Sequence, residues 1–268
     1  MVAQTKPSRM ASGALYGVYS STMDRKSFRK LFRDAASILE VSPFTAPIFD
    51  GPSVRYADIL SRIQLVERAT KLGLDVSNIP EIDYVVEPGK LATSIKEKFH
   101  IVSSSHVIEH TPDLVAHFCD IAPLLEEGGK YCVVIPDYRY CFDHFLSSSS
   151  IADVIQASHD KRKRHTKKSV VEHLALLTHN DSKRHWMGLH GDSTVKSSKV
   201  QEAIRAFDDS EASGAWLDVH AWQFTPNSFE EMITLTNQLG LQPFSAEKIY
   251  ATRFGELEFF GILQLNRQ

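Results

Sequence analysis

Two apolar patterns alternate along the first half of the chain. Short apolar runs at 38–41, 54–59, 82–86, 99–103 and 130–135 have the length of buried strands. Between them lie stretches of helical periodicity. Phe28, Leu31, Phe32, Ala35 and Ile38 predict an amphipathic helix over 25–38. Ser61 is placed to cap a helix that Gly73 ends, and a short helix is predicted over 91–98. Thr111-Pro112-Asp113 has the makings of a helix start, with a hydroxyl for free N–H groups, a proline for the first turn and an acid for the positive end. That helix is predicted to run to Leu125, with Gly128-Gly129 as its stop. Strands alternating with helices imply a parallel sheet covered on both faces.

After Pro136 the pattern changes. Residues 137–215 are polar and basic, with helical periodicity at 168–178 and 195–207 and no evident strand. Ser147–Ser150 reads as a hinge or turn. Order returns at Trp216, Thr225-Pro226 opens a helix to about Leu239, and runs at 243–250 and 256–265 read as a closing antiparallel hairpin. The expected organisation is an arm over 1–24, a core over 25–145 and 216–268, and a helical insertion or lid over 146–215.

Composition narrows the function classes. The chain has 268 residues, 43% apolar and 24% charged, which suits a soluble globular protein and excludes a disordered one. No apolar run approaches the roughly 20 residues of a membrane span, and no leader-like apolar stretch opens the chain. Cys119, Cys132 and Cys141 lack metal-ligand spacing, so a reduced, cytoplasmic setting is expected. Net charge is −3, but that average hides a split. Residues 159–190 hold six of the 12 histidines and eight Lys or Arg against three Asp or Glu, so this window carries +5 and the rest −8. The run Lys161–Lys168 could be a solvated face, a nucleic-acid patch or a surface for an acidic acceptor; the scarcity of interleaved aromatics argues against nucleic acid.

Parallel α/β sheets bind ligands beyond the carboxyl ends of their strands. There the sequence puts Glu40, Ser42 and Pro43, then Asp58, then Glu87, then Ser105 and His106, then Asp137 and Arg139. The stretch FHIVSSSHVIEHTPDLVAHFCDIAPLLEEGGKYCVVIPDYRYCFD (99–143) resembles class I S-adenosylmethionine-dependent methyltransferases. It is most similar to a bacterial subgroup linked to surface polysaccharide synthesis. The resemblance rests on His106-x-x-Glu109-His110, Gly128-Gly129, Ile135-Pro136-Asp137 with Arg139 and Phe142-Asp143, the segment DVHAWQFTPNSF (218–229), and Gly255 with Glu258-Phe259-Phe260. It implies a Rossmann-like sheet of seven strands, the last antiparallel, with a helical insertion. It also implies S-adenosyl-L-methionine as cofactor, with Glu40, Ser42 and Pro43 in the first loop, Asp58 on the ribose, Glu87 on the adenine side and Ser105 beside the sulfonium.

Transfer to a sugar or glycan-precursor hydroxyl is the expected reaction, and it needs a positioned base. His106, His220, Asp137 and Asp143 are the candidate catalytic groups, with His220 oriented by Asp218 or Asp143. Arg139, Asp218 and Trp222 are candidate acceptor contacts, and His110 is read as a structural residue. The acceptor is expected to be a saccharide, acidic or phosphorylated if the basic insertion meets it. No metal is assigned, although Asp137, Asp143 and His220 form a conceivable set. His106-x-x-Glu109-His110 also matches an inverted zinc-protease signature, but it follows a strand directly and reads as a turn, not as one face of a helix. One departure from the family matters. Its first loop usually begins E-x-G, and here it is Glu40-Val41-Ser42. A glycine there lets the backbone approach the cofactor, so the alternative is a binding or scaffold protein that keeps the fold without the chemistry.

Overall fold

The computed structural model describes residues 21–266, so most of the expected N-terminal arm lies outside the described residues. Seven strands form one sheet: β1 (Ile38–Val41), β2 (Val54–Asp58), β3 (Tyr84–Val85), β4 (Phe99–Ser105), β5 (Leu125–Pro136), β6 (Phe244–Tyr250) and β7 (Glu258–Leu265). Their order is β3-β2-β1-β4-β5-β7-β6. β1 to β5 pair in parallel, and β7 is antiparallel to both β5 and β6. This is the expected Rossmann-like sheet of seven strands with the last one antiparallel.

The helices are α1 (Arg25–Leu31), α2 (Arg62–Lys71), α3 (Leu91–Ser94), α4 (Leu114–Ile121), α5 (Ile151–His159), α6 (Lys167–Leu176), α7 (Ser182–Trp186), α8 (Ser197–Ser213) and α9 (Pro226–Gln238). Strand side chains alternate between two cores, as pleating requires. Leu39, Val102, Val133, Ile135 and Phe259 face a core shared with α4, α5 and α9. Ile38, Ile101, Cys132, Val134 and Phe260 face a second core closed by Phe28 and Phe32. Gly261 sits where β5, β6 and α9 converge; a Cβ there would meet Val133 at 2.9 Å and Ile249 at 3.1 Å.

Several boundaries differ from the sequence reading. The first helix ends at Leu31, which is 52% exposed, because Ile38 is claimed by the sheet and pairs with both Val54 and Ile101. The fourth helix starts later and stops earlier than predicted. Its N-cap is Asp113, whose carboxylate accepts from Ala116 N, and Pro123 turns residues 122–124 into a 3₁₀ turn. β5 therefore begins at Leu125 and carries Gly128-Gly129 within it. Ser61 and Thr225 cap α2 and α9 as read, each in a reciprocal capping box.

Residues 146–215 are helical and contain no strand. α5 packs into the main core through Val154 and Ala157, whereas α6 and α8 pack on each other. Arg164, from the basic run, is clamped on Ser210 O, Gly214 O and Ala215 O at the end of α8, and Lys167 pairs with Asp208. Part of the charge read as a binding surface therefore holds the insertion together. Among the described residues no helix is long and apolar enough to cross a membrane.

Candidate functional site

The strand order reverses between β1 and β4, and α/β sheets open a crevice at such a point. Three non-glycine residues with positive φ gather there: Ser42 (φ 55) and Phe44 (φ 42) after β1, and His106 (φ 54) after β4. Left-handed backbone costs an L-residue about 1–2 kcal/mol. Such residues cluster where a structure shapes a ligand site. Ser42 adopts a left-handed conformation, the kind of backbone that glycine takes most readily.

The predicted cofactor residues divide. Asp58 stands at the end of β2, 5% exposed, with Oδ1 accepting from Leu60 N at 2.9 Å. Burial raises its pKa, against the pull of the backbone N–H groups and the Ser42 hydroxyl. Glu87 is exposed beyond β3 and pairs with Lys90. Glu40 is fully buried, and its two oxygens accept from Ile48 N (2.7 Å) and Phe49 N (2.9 Å). Burial pushes it up to about 7 despite those bonds. Glu40 thereby ties down the 48–49 segment after the loop, and Pro43 is buried. Ser105 Oγ accepts from Arg25 Nη2 at 2.9 Å, and Arg25 is itself neutralised by Glu258 through two bonds of 2.8 Å. Asp58, Glu87 and the strained loop fit the nucleoside of an adenosyl cofactor. Beside Ser105, a sulfonium would meet a guanidinium–carboxylate pair in place of open space.

The catalytic candidates also separate. His106 is partly exposed, with Nε2 2.9 Å from Glu258 Oε2. Burial pushes Glu258 up, but the His106 hydrogen bond and the Arg25 bonds and charge outweigh it and hold the carboxyl at about 2. His220 is buried, and its Nδ1 donates to Asp143 Oδ2 at 2.5 Å. Burial drives His220 down to about 3 and Asp143 up to about 7, the latter opposed by His173 and His110. Asp218, the other proposed orienting acid, pairs instead with Arg68 and lies 2.9 Å from His110 Nδ1. The close contact with His110, against burial, leads in holding the Asp218 carboxyl below its ordinary range.

Asp137 does not join this group. It is fully buried and bound by Arg139 through Nε (2.8 Å) and Nη2 (2.6 Å) and by Thr252 Oγ1 (2.6 Å). The grouping of Asp137 with Asp143 and His220 is thus corrected: Asp143 and His220 sit with His173. Arg139 is committed to Asp137. Trp222 is 3% exposed with its indole N–H on Thr111 O at 2.6 Å, which leaves almost no ring face for a sugar.

The sequence reading missed Arg25, Glu258, Glu109 and His173 as site residues. An acid heading a strand beside Phe259-Phe260 was the available signal for Glu258. Glu109 and His110 stood in a motif read as a turn, and residues 108–110 do form a 3₁₀ turn. A cleft of about 280 Å³ adjoins the site, lined by Arg162, His165, Lys168, Trp222 and Ser147–Ser149 among others. Its wall at Ala221 and Trp222 is tied by two backbone N–H groups to Glu109 O.

No protein-family model matches the chain, and no curated protein matches it. Solved structures do resemble it. An S-adenosylmethionine-dependent methyltransferase from Clostridium acetobutylicum aligns at 10% identity over 91% of this chain and 93% of its own, with a TM-score of 0.45. The N-methyltransferase NodS from Bradyrhizobium japonicum aligns at 9% identity over 91% and 94%, with a TM-score of 0.38. A protein from Rhodobacter sphaeroides named for zinc-dependent alcohol dehydrogenases aligns at 11% identity over 92% and 91%, with a TM-score of 0.48. At such identities the likeness is one of fold alone.

Proposed function

We propose that this chain is a cytoplasmic S-adenosylmethionine-dependent methyltransferase acting on a hydroxyl of a saccharide or glycan precursor. The observation that carries the reading is the strained backbone of Ser42, Phe44 and His106 at the switch point of this sheet, one strand away from the acid Asp58. When bound, the cofactor would supply an electrophilic methyl group for the acceptor oxygen, with the sulfonium sulfur as leaving group. Asp58 holds the ribose hydroxyls, and Glu87 lies on the adenine side. His106 takes the acceptor proton on the ring nitrogen that Glu258 does not engage, and Glu258 orients the ring. His106 is partly exposed where His220 is buried, which favours it as the base in contact with acceptor. The cleft carries Arg162, Arg164 and Lys168 against Asp153 and Glu172, and this positive excess supports an acidic or phosphorylated acceptor.

A second reading, a scaffold that keeps the fold without the chemistry, is favoured by Arg25 beside Ser105. Calorimetry with S-adenosylmethionine and S-adenosylhomocysteine separates the two. Saturable binding supports the enzyme, and no heat at millimolar ligand leaves the scaffold. Transfer of a labelled methyl group to a panel of neutral, uronic and phosphorylated saccharides then identifies the acceptor class.

A further inference from the structure

Glu109 is fully buried in the turn after β4, and neither of its carboxylate oxygens has a hydrogen-bond partner. A carboxylate accepts only, and burying it without donors or a cation is among the costliest arrangements a fold can hold. What surrounds it is a set of histidine nitrogens too distant for hydrogen bonds. His110 Nε2 lies 3.9 Å and His106 Nδ1 3.6 Å from Glu109 Oε1. One donor atom each from Glu109, His110 and His220 lies within 4.8 Å of the other two.

The outer contacts of the two imidazoles favour coordination. His220 Nδ1 donates to Asp143 Oδ2 at 2.5 Å, so the lone pair of Nε2 is left to face inward. His110 Nδ1 lies 2.9 Å from Asp218 Oδ1 without making a hydrogen bond to it, while His110 Nε2 is the ring nitrogen 3.9 Å from Glu109 Oε1. Histidines that bind metals usually engage a carboxylate or carbonyl with the other ring nitrogen, which fixes tautomer and orientation. The two rings meet edge to face at 88°, a geometry in which in-plane lone pairs can converge. We propose that Glu109, His110 and His220 form a binding site for one divalent transition-metal ion, with positions left open for exchangeable ligands.

Two imidazoles and one carboxylate suit zinc, iron(II), cobalt or manganese better than calcium or magnesium. Bonds of about 2.0–2.2 Å require the three donors to draw together by roughly 1 Å. Two other groups among the described residues could hold an ion. The set Asp143, His173 and His220 shares His220 with the proposed site, and there the Nδ1 of His220 is already taken up by Asp143 Oδ2. The set His144, His185 and His190 is less suited. The rings of His144 and His190 stack at 3.7 Å and 8°, so their lone pairs run side by side. A cation on Glu109 would neighbour His106, and any part in methyl transfer rests on the function proposed above. Binding itself does not, and it is measured without a methyl donor.

The test uses the full chain stripped with chelator, titrated with zinc by calorimetry and with cobalt by visible absorption. The wild type is expected to bind one equivalent and show cobalt d–d bands. Glu109→Gln, checked for folding by circular dichroism, is expected to weaken binding at least about 100-fold, by analogy with the losses seen on removing even outer-shell partners. His110→Ala, at the more exposed rim, is expected to do the same if Glu109→Gln does not fold. His190→Ala is expected to bind as the wild type does. Absence of binding in the wild type overturns the proposal, and so does unchanged affinity in the folded Glu109 or His110 variant. Loss of binding in the His190 variant alone also overturns it. S-adenosylhomocysteine binding without zinc binding removes the metal site and leaves the methyltransferase; zinc binding without it does the reverse.

Discussion

His106 Nε2 stands 2.9 Å from Glu258 Oε2, although 152 positions separate the two residues. The sheet makes the contact. Ser105 at the end of β4 pairs with Val134, and Pro136 at the end of β5 pairs with Glu258 at the start of β7. Because β7 is antiparallel, its first residue lands at the carboxyl ends of the parallel strands. This His–carboxylate pair is thus a product of topology.

Glu258→Gln should destabilise the fold by about 1–3 kcal/mol near neutral pH, because charge-assisted hydrogen bonds from Arg25 and His106 are lost. The effect has a pH signature. The carboxyl is held at about 2, below its ordinary 4.5, so its contribution is complete above 4.5 and lost as pH falls through 2. Urea unfolding of wild type and variant should differ clearly at pH 7 and far less near pH 2.5. An equal difference at both would place the effect elsewhere.

Asp58→Ala should weaken S-adenosylhomocysteine binding by about 10- to 100-fold, the usual consequence of removing a charged hydrogen-bond acceptor. Calorimetry reads this directly. Unchanged affinity would remove the end of β2 from the ribose site.

For His106→Ala, turnover of the acceptor found in the saccharide panel should fall by about 10²- to 10⁴-fold while cofactor affinity holds, as expected for a general base. A variant that turns over like the wild type would take the role of base from His106.

Gly261→Ala should lower stability by about 1–3 kcal/mol, since a methyl group is forced against Val133 and Ile249 in a closed core. Thermal unfolding measures it. An unchanged midpoint would mean that β6 can shift to admit the methyl group.

The sequence by itself determined the layered α/β architecture, because buried strands and amphipathic helices carry distinct local periods that survive without knowledge of neighbours. It also determined that Asp58, Glu87, Ser105 and His106 stand at strand ends, since position after an apolar run is a local property. Boundaries set by competition were not legible: Ile38 fits the helical spacing of Phe28 and Phe32, but the two strands flanking β1 claim it. Which side chains meet was decided only by the tertiary structure. The crowded histidines show this most plainly. His165 and His173 fold back toward His220, whereas His185 and His190 stack with His144. No spacing within 159–190 separates these two fates, because the partners are residue 144, beyond β5, and residue 220, and only the packing of the insertion against the rest of the fold brings them within reach.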